Sequence, residues 1–184
     1  ARAWSDFGEA RLRGKLGFGD GLRGRFDVSA EGDLARTAES IIGLPVDRQL
    51  IEGRAKFHGT LDVEPESKSL KGTLLWSRGR IASVPTSSWS AQIFWDRSLL
   101  QVGLAQGQLA AGTAKLQLHQ PLPVADHLAS LDIDFQDAAL GELWRAIGNA
   151  MIPIDSRVSG RASFVFPADN PAVVDGRFEL RGQK

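Results

Sequence analysis

Val158-Ser-Gly160-Arg-Ala162-Ser-Phe164-Val-Phe166 and, after Pro167-Ala-Asp-Asn-Pro171, Val174-Asp-Gly176-Arg-Phe178-Glu-Leu180 carry apolar residues or glycine at the even positions of both arms. Ser, Arg, Asp and Glu fill most of the odd positions. A period of two is that of a strand with one face in a core and the other in water. With a proline- and asparagine-containing turn between its arms, the stretch predicts a β-hairpin.

The same alternation runs through most of the chain. Ala10, Leu12, Leu16 and Phe18 alternate with Arg11, Arg13 and Lys15, and after Gly19-Asp20-Gly21 the pattern resumes with Leu22, Gly24, Phe26, Val28 and Ala30. Ile51, Gly53, Ala55, Phe57, Gly59, Leu61 and Val63 form the cleanest strand, turned at 65–69 and answered by Leu70, Gly72, Leu74 and Trp76. Further strands are predicted at 80–84, 88–96, 99–104, 113–119 and 131–135. Two stretches change to the helical period. Asp33 is placed to cap a helix over Leu34 to Ile42, stopped by Gly43 and Pro45. Asp137 is placed to cap a second, carrying Leu140, Leu143, Trp144, Ile147 and Met151 on one face and ended by Pro153.

Gly53-Arg-Ala-Lys-Phe57 and Gly160-Arg-Ala-Ser-Phe164 share Gly-Arg-Ala-x-Phe, and each follows a short helical stretch, a proline and a loop. Residues 1–184 therefore read as a single β-rich segment with helix-loop-hairpin units at about 33–78 and 138–184. Glycines 14, 24, 53, 59, 72, 160 and 176 fall on the apolar side of their strands. A missing side chain there leaves room for a bend, or for something lying close to the backbone.

Composition narrows the function. The 22 basic and 22 acidic residues cancel, so no net field draws nucleic acid, and none is expected as a partner. The absence of cysteine removes disulfides, thiolate metal sites and cysteine nucleophiles together. No uncharged apolar run approaches the ~20 residues of a membrane-spanning helix. An opening with neither an initiator methionine nor a signal predicts a segment of a longer protein. His58, His119 and His127 lack ligand spacing, so no metal or other cofactor is expected. Asp132 and Asp134 resemble a carboxylate pair, but alternation puts them on the solvent face of a strand rather than in an acid–base site. Trp76, Trp89 and Trp95 could stack on carbohydrate, yet their same-side neighbours Leu74, Ala91 and Ile93 predict an apolar layer. With no catalytic constellation, the chain reads as a binding or structural protein rather than an enzyme.

Leu50 to Trp76 and Arg157 to Leu180 carry the form apolar-x-Gly-x-apolar, a turn with proline, then x-Gly-x-apolar again, and Glu9 to Ala30 matches it more loosely. In this the chain resembles the AsmA-like superfamily of envelope proteins, especially the large inner-membrane component of the translocation and assembly module. The resemblance implies a mainly β fold: an elongated, curled, taco-like and mostly antiparallel sheet, here with two short helices, spanning the periplasm from an inner-membrane anchor. It implies a hydrophobic groove for lipid transport between membranes, for assisting outer-membrane protein assembly, or both. Leu12, Leu16, Phe26, Val28, Phe57, Leu61, Leu74, Trp76, Phe164, Phe166, Phe178 and Leu180 would line that groove. Its partners would be lipid acyl chains or unfolded outer-membrane β-strands, neighbouring segments of the parent chain and an outer-membrane barrel. Alternation alone equally allows a closed β-sandwich, a secreted module binding a ligand or carbohydrate, in which the same residues face one another as core.

Overall fold

The structure, a computed structural model, describes residues 2–5, 8–19, 21–33, 35–36, 51–81, 84–122, 127–146, 156–168 and 174–183. Its strands are β1 (Arg2–Ser5), β2 (Gly8–Gly19), β3 (Gly21–Asp33), β4 (Ile51–Val63), β5 (Lys68–Ile81), β6 (Val84–Trp95), β7 (Leu99–Leu109), β8 (Gly112–Pro121), β9 (Leu128–Ala139), β10 (Arg157–Pro167) and β11 (Asp175–Gln183). They form one sheet in sequence order. Every neighbouring pair is antiparallel, and among the described residues β1 and β11 are the outermost strands. The expected mainly β, antiparallel fold is therefore present. The closed sandwich is not, because a sandwich divides its strands between two sheets and this chain keeps them in one that does not close.

Most neighbouring strands are joined by short turns, which is all that antiparallel neighbours need, while 34–50 and 140–156 are longer connections between strands that are again adjacent. The turn after β7 is Ala110-Ala111, with φ of 50° and 59°. Positive φ at both central residues is the geometry that matches the twist of two paired strands. Alanine seldom adopts it, and here burial decides: Ala110 is 1% exposed. Its N–H donates to the Pro85 carbonyl, and its own carbonyl accepts from the Ala139 N–H at 2.8 Å. The preceding connection, between β6 and β7, is closed by Asp96, whose Oδ1 accepts the N–H groups of Ser98 at 2.7 Å and Leu99 at 2.9 Å.

Several strands are longer than alternation predicted, because they change phase part-way. The segment expected as a strand at 80–84 is instead the end of β5 and the start of β6. In β5, Ser77 is an extra residue opposite the Arg54/Ala55 step, so the apolar face passes from Leu74 and Trp76 to Gly79. In β6 the shift falls around Ser88, which has φ of 57°, and the buried positions pass from Val84 and Thr86 to Trp89 and Ala91. In β7 it falls between Val102 and Ala105, which turns Leu104 outward. In β9 it falls at Asp137, with φ of 54°, where Phe135 gives way to Ala138. These are β-bulges, each inserting one residue and re-aiming the strand beyond it.

The helix expected after Asp137 is present as α1 (Leu140–Ala146), and its expected continuation to Met151 lies outside the described residues. Asp137 does not cap it. That residue belongs to the β9 bulge, where Arg157 donates to its carbonyl at 2.7 Å and to its carboxylate at 3.0 Å. Leu140 and Leu143 pack against the core. Asp33 does make a capping bond, accepting the Arg36 N–H at 3.0 Å, and the expected helix beyond Arg36 lies outside the described residues.

Candidate functional site

One face of the sheet carries an apolar row from β2 to β11. Along the hydrogen-bonded register Leu12 stands opposite Val28, then Gly59, Gly72 and Ile93. The row continues through Val102, Leu118, Leu131 and Phe164 to Gly176. It crosses ten strands without a polar side chain, because the turns and bulges keep each strand's apolar phase on the same side. Among the described residues, Thr86 and Gln120 are the buried polar side chains.

All twelve residues expected to line a groove lie on this face, at different depths. Trp76, 6% exposed, belongs to a packed cluster with Trp89, Ala91, Ala105, Ala114, Phe135 and Val158, around which the sheet curls. The Trp76 and Trp89 rings are 6.5 Å apart. Their indole N–H groups donate to the carbonyls of Arg78 at 3.0 Å and Gln108 at 2.9 Å. Such burial excludes these two rings as a carbohydrate platform. Leu12, Phe26, Val28, Phe57, Leu61, Leu74, Phe164 and Phe166 are half-buried. Leu16, Phe178 and Leu180 are open to solvent, Phe178 at 65%. The face is thus closed in its middle strands and accessible on its flanks. Phe135, Trp89 and Val158 anchor the middle, and period-two reading places Phe135 and Trp89 on this side but gives no measure of their depth.

The space left by the interior glycines is filled by the protein's own rings. A Cβ at Gly59 or at Gly72 would stand 2.6 Å from Cζ of Phe57, and one at Gly14 or at Gly24 would stand 2.8 Å from the Phe26 ring. Trp89 covers Gly107, and Phe164 covers Gly176, in the same way. Aromatic residues laid over glycines on adjoining strands shield backbone that would otherwise be bare, and let the strands approach closely. Gly53 is additionally constrained by φ of 136°, beneath the Trp76 indole. These glycines therefore serve packing rather than clearance for a ligand.

The opposite face is polar and laced by cross-strand ion pairs: Arg25 with Asp62 at 2.6 Å, Arg161 with Asp134 at 2.7 Å, Lys56 with Glu31 at 3.4 Å. A hydrogen bond from Arg25 holds the Asp62 carboxyl below its usual range. Asp134 and Asp132, which accepts from the Ser163 hydroxyl at 2.6 Å, lie on this face as alternation requires. Asp134 is engaged by a guanidinium and Asp132 by a hydroxyl, an arrangement of sheet surface rather than of acid–base chemistry. His58, His119 and His127 are exposed, and no three metal-ligating side chains cluster among the described residues. Nor, among those residues, is any helix long and apolar enough to cross a membrane.

No protein family, curated protein or solved structure matches the chain. What it can do must be argued from the face itself. A largely apolar surface with accessible flanks is able to bury flexible hydrocarbon.

Proposed function

We propose that this chain is a segment of an envelope-spanning protein of the AsmA-like kind, whose apolar face binds acyl chains and lets them pass between membranes through the periplasm. The taco-like cross-section belongs to this proposal, as does a role in assisting outer-membrane protein assembly. The observation that carries it is the apolar row from Leu12 to Gly176, which crosses ten paired strands on one face of a sheet that does not close. An acyl chain leaving such a face for water would lose about 0.8 kcal/mol per methylene, so continuity of the row is what allows movement along it. A closed module has no use for Phe178 at 65% exposure and Leu180 at 57% on the same face as its core. Transfer of this kind requires neither cofactor nor catalytic residue.

The test is capture of lipid by the purified chain. Native mass spectrometry and solvent extraction after non-denaturing purification from a Gram-negative host should find phospholipid in substoichiometric to stoichiometric amounts. Phe26→Asp, on an accessible flank, should reduce it while circular dichroism stays that of a β-sheet. Lipid-free protein under these conditions, or retention equal to wild type in Phe26→Asp, would refute the proposal.

A further inference from the structure

Two side-chain polar atoms, the Thr86 hydroxyl and the Trp144 indole N–H, are sealed from solvent with no protein partner among the described residues. Thr86 lies on β6, opposite Gly79 and Leu109 on the apolar side of the sheet, and is 5% exposed. The other polar side chain buried there, Gln120, donates to the Pro121 carbonyl at 3.3 Å, and the indoles of Trp76 and Trp89 also reach carbonyls. Trp144 belongs to α1, which follows β9 and touches β6. The two atoms thus belong to two elements in contact. Val84 and Ala110 lie in the packed cluster at this end of the sheet, with Leu109, Leu140 and Leu143 against it. A buried hydroxyl or indole left without a partner costs about 1–3 kcal/mol, so each calls for an acceptor that the chain itself does not supply.

Both groups donate, and neither needs a donor in return. The ligand that fits them is an uncharged acceptor oxygen joined to an apolar chain. Bare hydrocarbon would leave both donors unpaired. A phosphate would bring a charge to a place where, among the described residues, no cationic side chain is buried. An ester carbonyl has free lone pairs, no hydrogen and no charge, and it stands at the head of every acyl chain of a diacyl lipid. We propose that Thr86 and Trp144 bind the ester carbonyls of an acyl lipid on the apolar face, and so fix where its head-group end stops, at the α1 end of β6. The inference rests on the reading that this face takes acyl chains, and it names the ligand as an acyl ester rather than hydrocarbon in general.

The purified chain is incubated with vesicles made of equal parts of a diacyl phosphatidylglycerol and its dialkyl ether analogue, which keeps the chains and the head group and lacks the carbonyls. Native mass spectrometry of the chain recovered from the vesicles then counts the two bound lipids. The ester form should be retained about tenfold over the ether form, the preference expected of two added hydrogen bonds. Thr86→Val removes the hydroxyl at nearly constant volume, and Trp144→Phe removes the indole N–H. Each should cut the preference to about threefold, and the double variant should abolish it. Should Trp144→Phe fail to fold, Thr86→Val decides alone. Equal retention of the two lipids by the unaltered chain would overturn the proposal and leave acyl-chain binding standing, with internal water serving both groups. A preference that Thr86→Val leaves at its full size would overturn it in the same way. Retention of neither lipid would overturn acyl-chain binding and this proposal together.

Discussion

Phe57 occupies the space that a side chain on Gly72 would need: a Cβ added there would stand 2.6 Å from its Cζ, and equally close to the Gly59 backbone. Gly72→Val should therefore destabilise the sheet by about 1–3 kcal/mol through overpacking, although valine is the better strand former. Urea denaturation followed by circular dichroism measures this. An unchanged midpoint would show that the Phe57 ring does not lie over the glycines.

Trp89 donates to the Gln108 carbonyl across the β6 bulge and packs over Gly107. Trp89→Phe removes the donor, takes one hydrogen bond from that carbonyl and opens a small void. A loss of about 1–3 kcal/mol is expected in the same denaturation experiment. Trp89→Ala should cost more, about 3–5 kcal/mol.

Ala111 and Ala110 share positive φ but differ in burial, the first exposed and the second 1% exposed. Ala111→Gly relieves backbone strain at no cost in packing and should stabilise by about 0.5–1 kcal/mol. Ala110→Gly relieves the same strain but removes a buried methyl, so its gain should be smaller or reversed. Equal shifts in thermal midpoint for the two would contradict the turn geometry.

Asp96 accepts from the Ser98 N–H, the Ser98 hydroxyl and the Leu99 N–H. The Ser98 N–H bond, then the hydroxyl, hold its carboxyl pKa below the ordinary value. A depressed folded-state pKa contributes stability that is fully present above the unfolded value of about 4 and is lost as pH falls through the folded one. Asp96→Asn should therefore be less stable than wild type at pH 7, and the gap should narrow below about pH 4. Urea midpoints at a series of pH values test this, and a gap independent of pH would contradict it.

Strands β2, β3, β4, β10 and β11 were readable from the sequence because residues such as Leu12, Val28, Phe57 and Phe164 keep one phase from end to end. For strands β5, β6, β7 and β9 alternation marks only part of the length. Their bulges fall at Ser77, Ser88, Gly103-Leu104 and Asp137, and only one of these sites carries a glycine to announce a change of phase. The turn at Ala110-Ala111 carries no local signal, since neither residue is the glycine, asparagine or aspartate that usually marks positive φ. Period two also fixes the side of the sheet on which a residue lies, but not its depth. Trp76 and Phe178 share a face, and one is packed while the other is open, because depth depends on how many strands flank a residue on each side.

The most direct test of acyl-chain binding compares the two faces at one point on β10. A photoactivatable benzophenone maleimide is attached to Phe164→Cys, on the apolar face, and separately to its neighbour Ser163→Cys, on the polar face. After irradiation with phospholipid vesicles, intact-mass spectrometry should find phospholipid adducts at 164 and few at 163. Absence of adducts at 164, or equal labelling of both positions, would contradict acyl-chain binding on the apolar face.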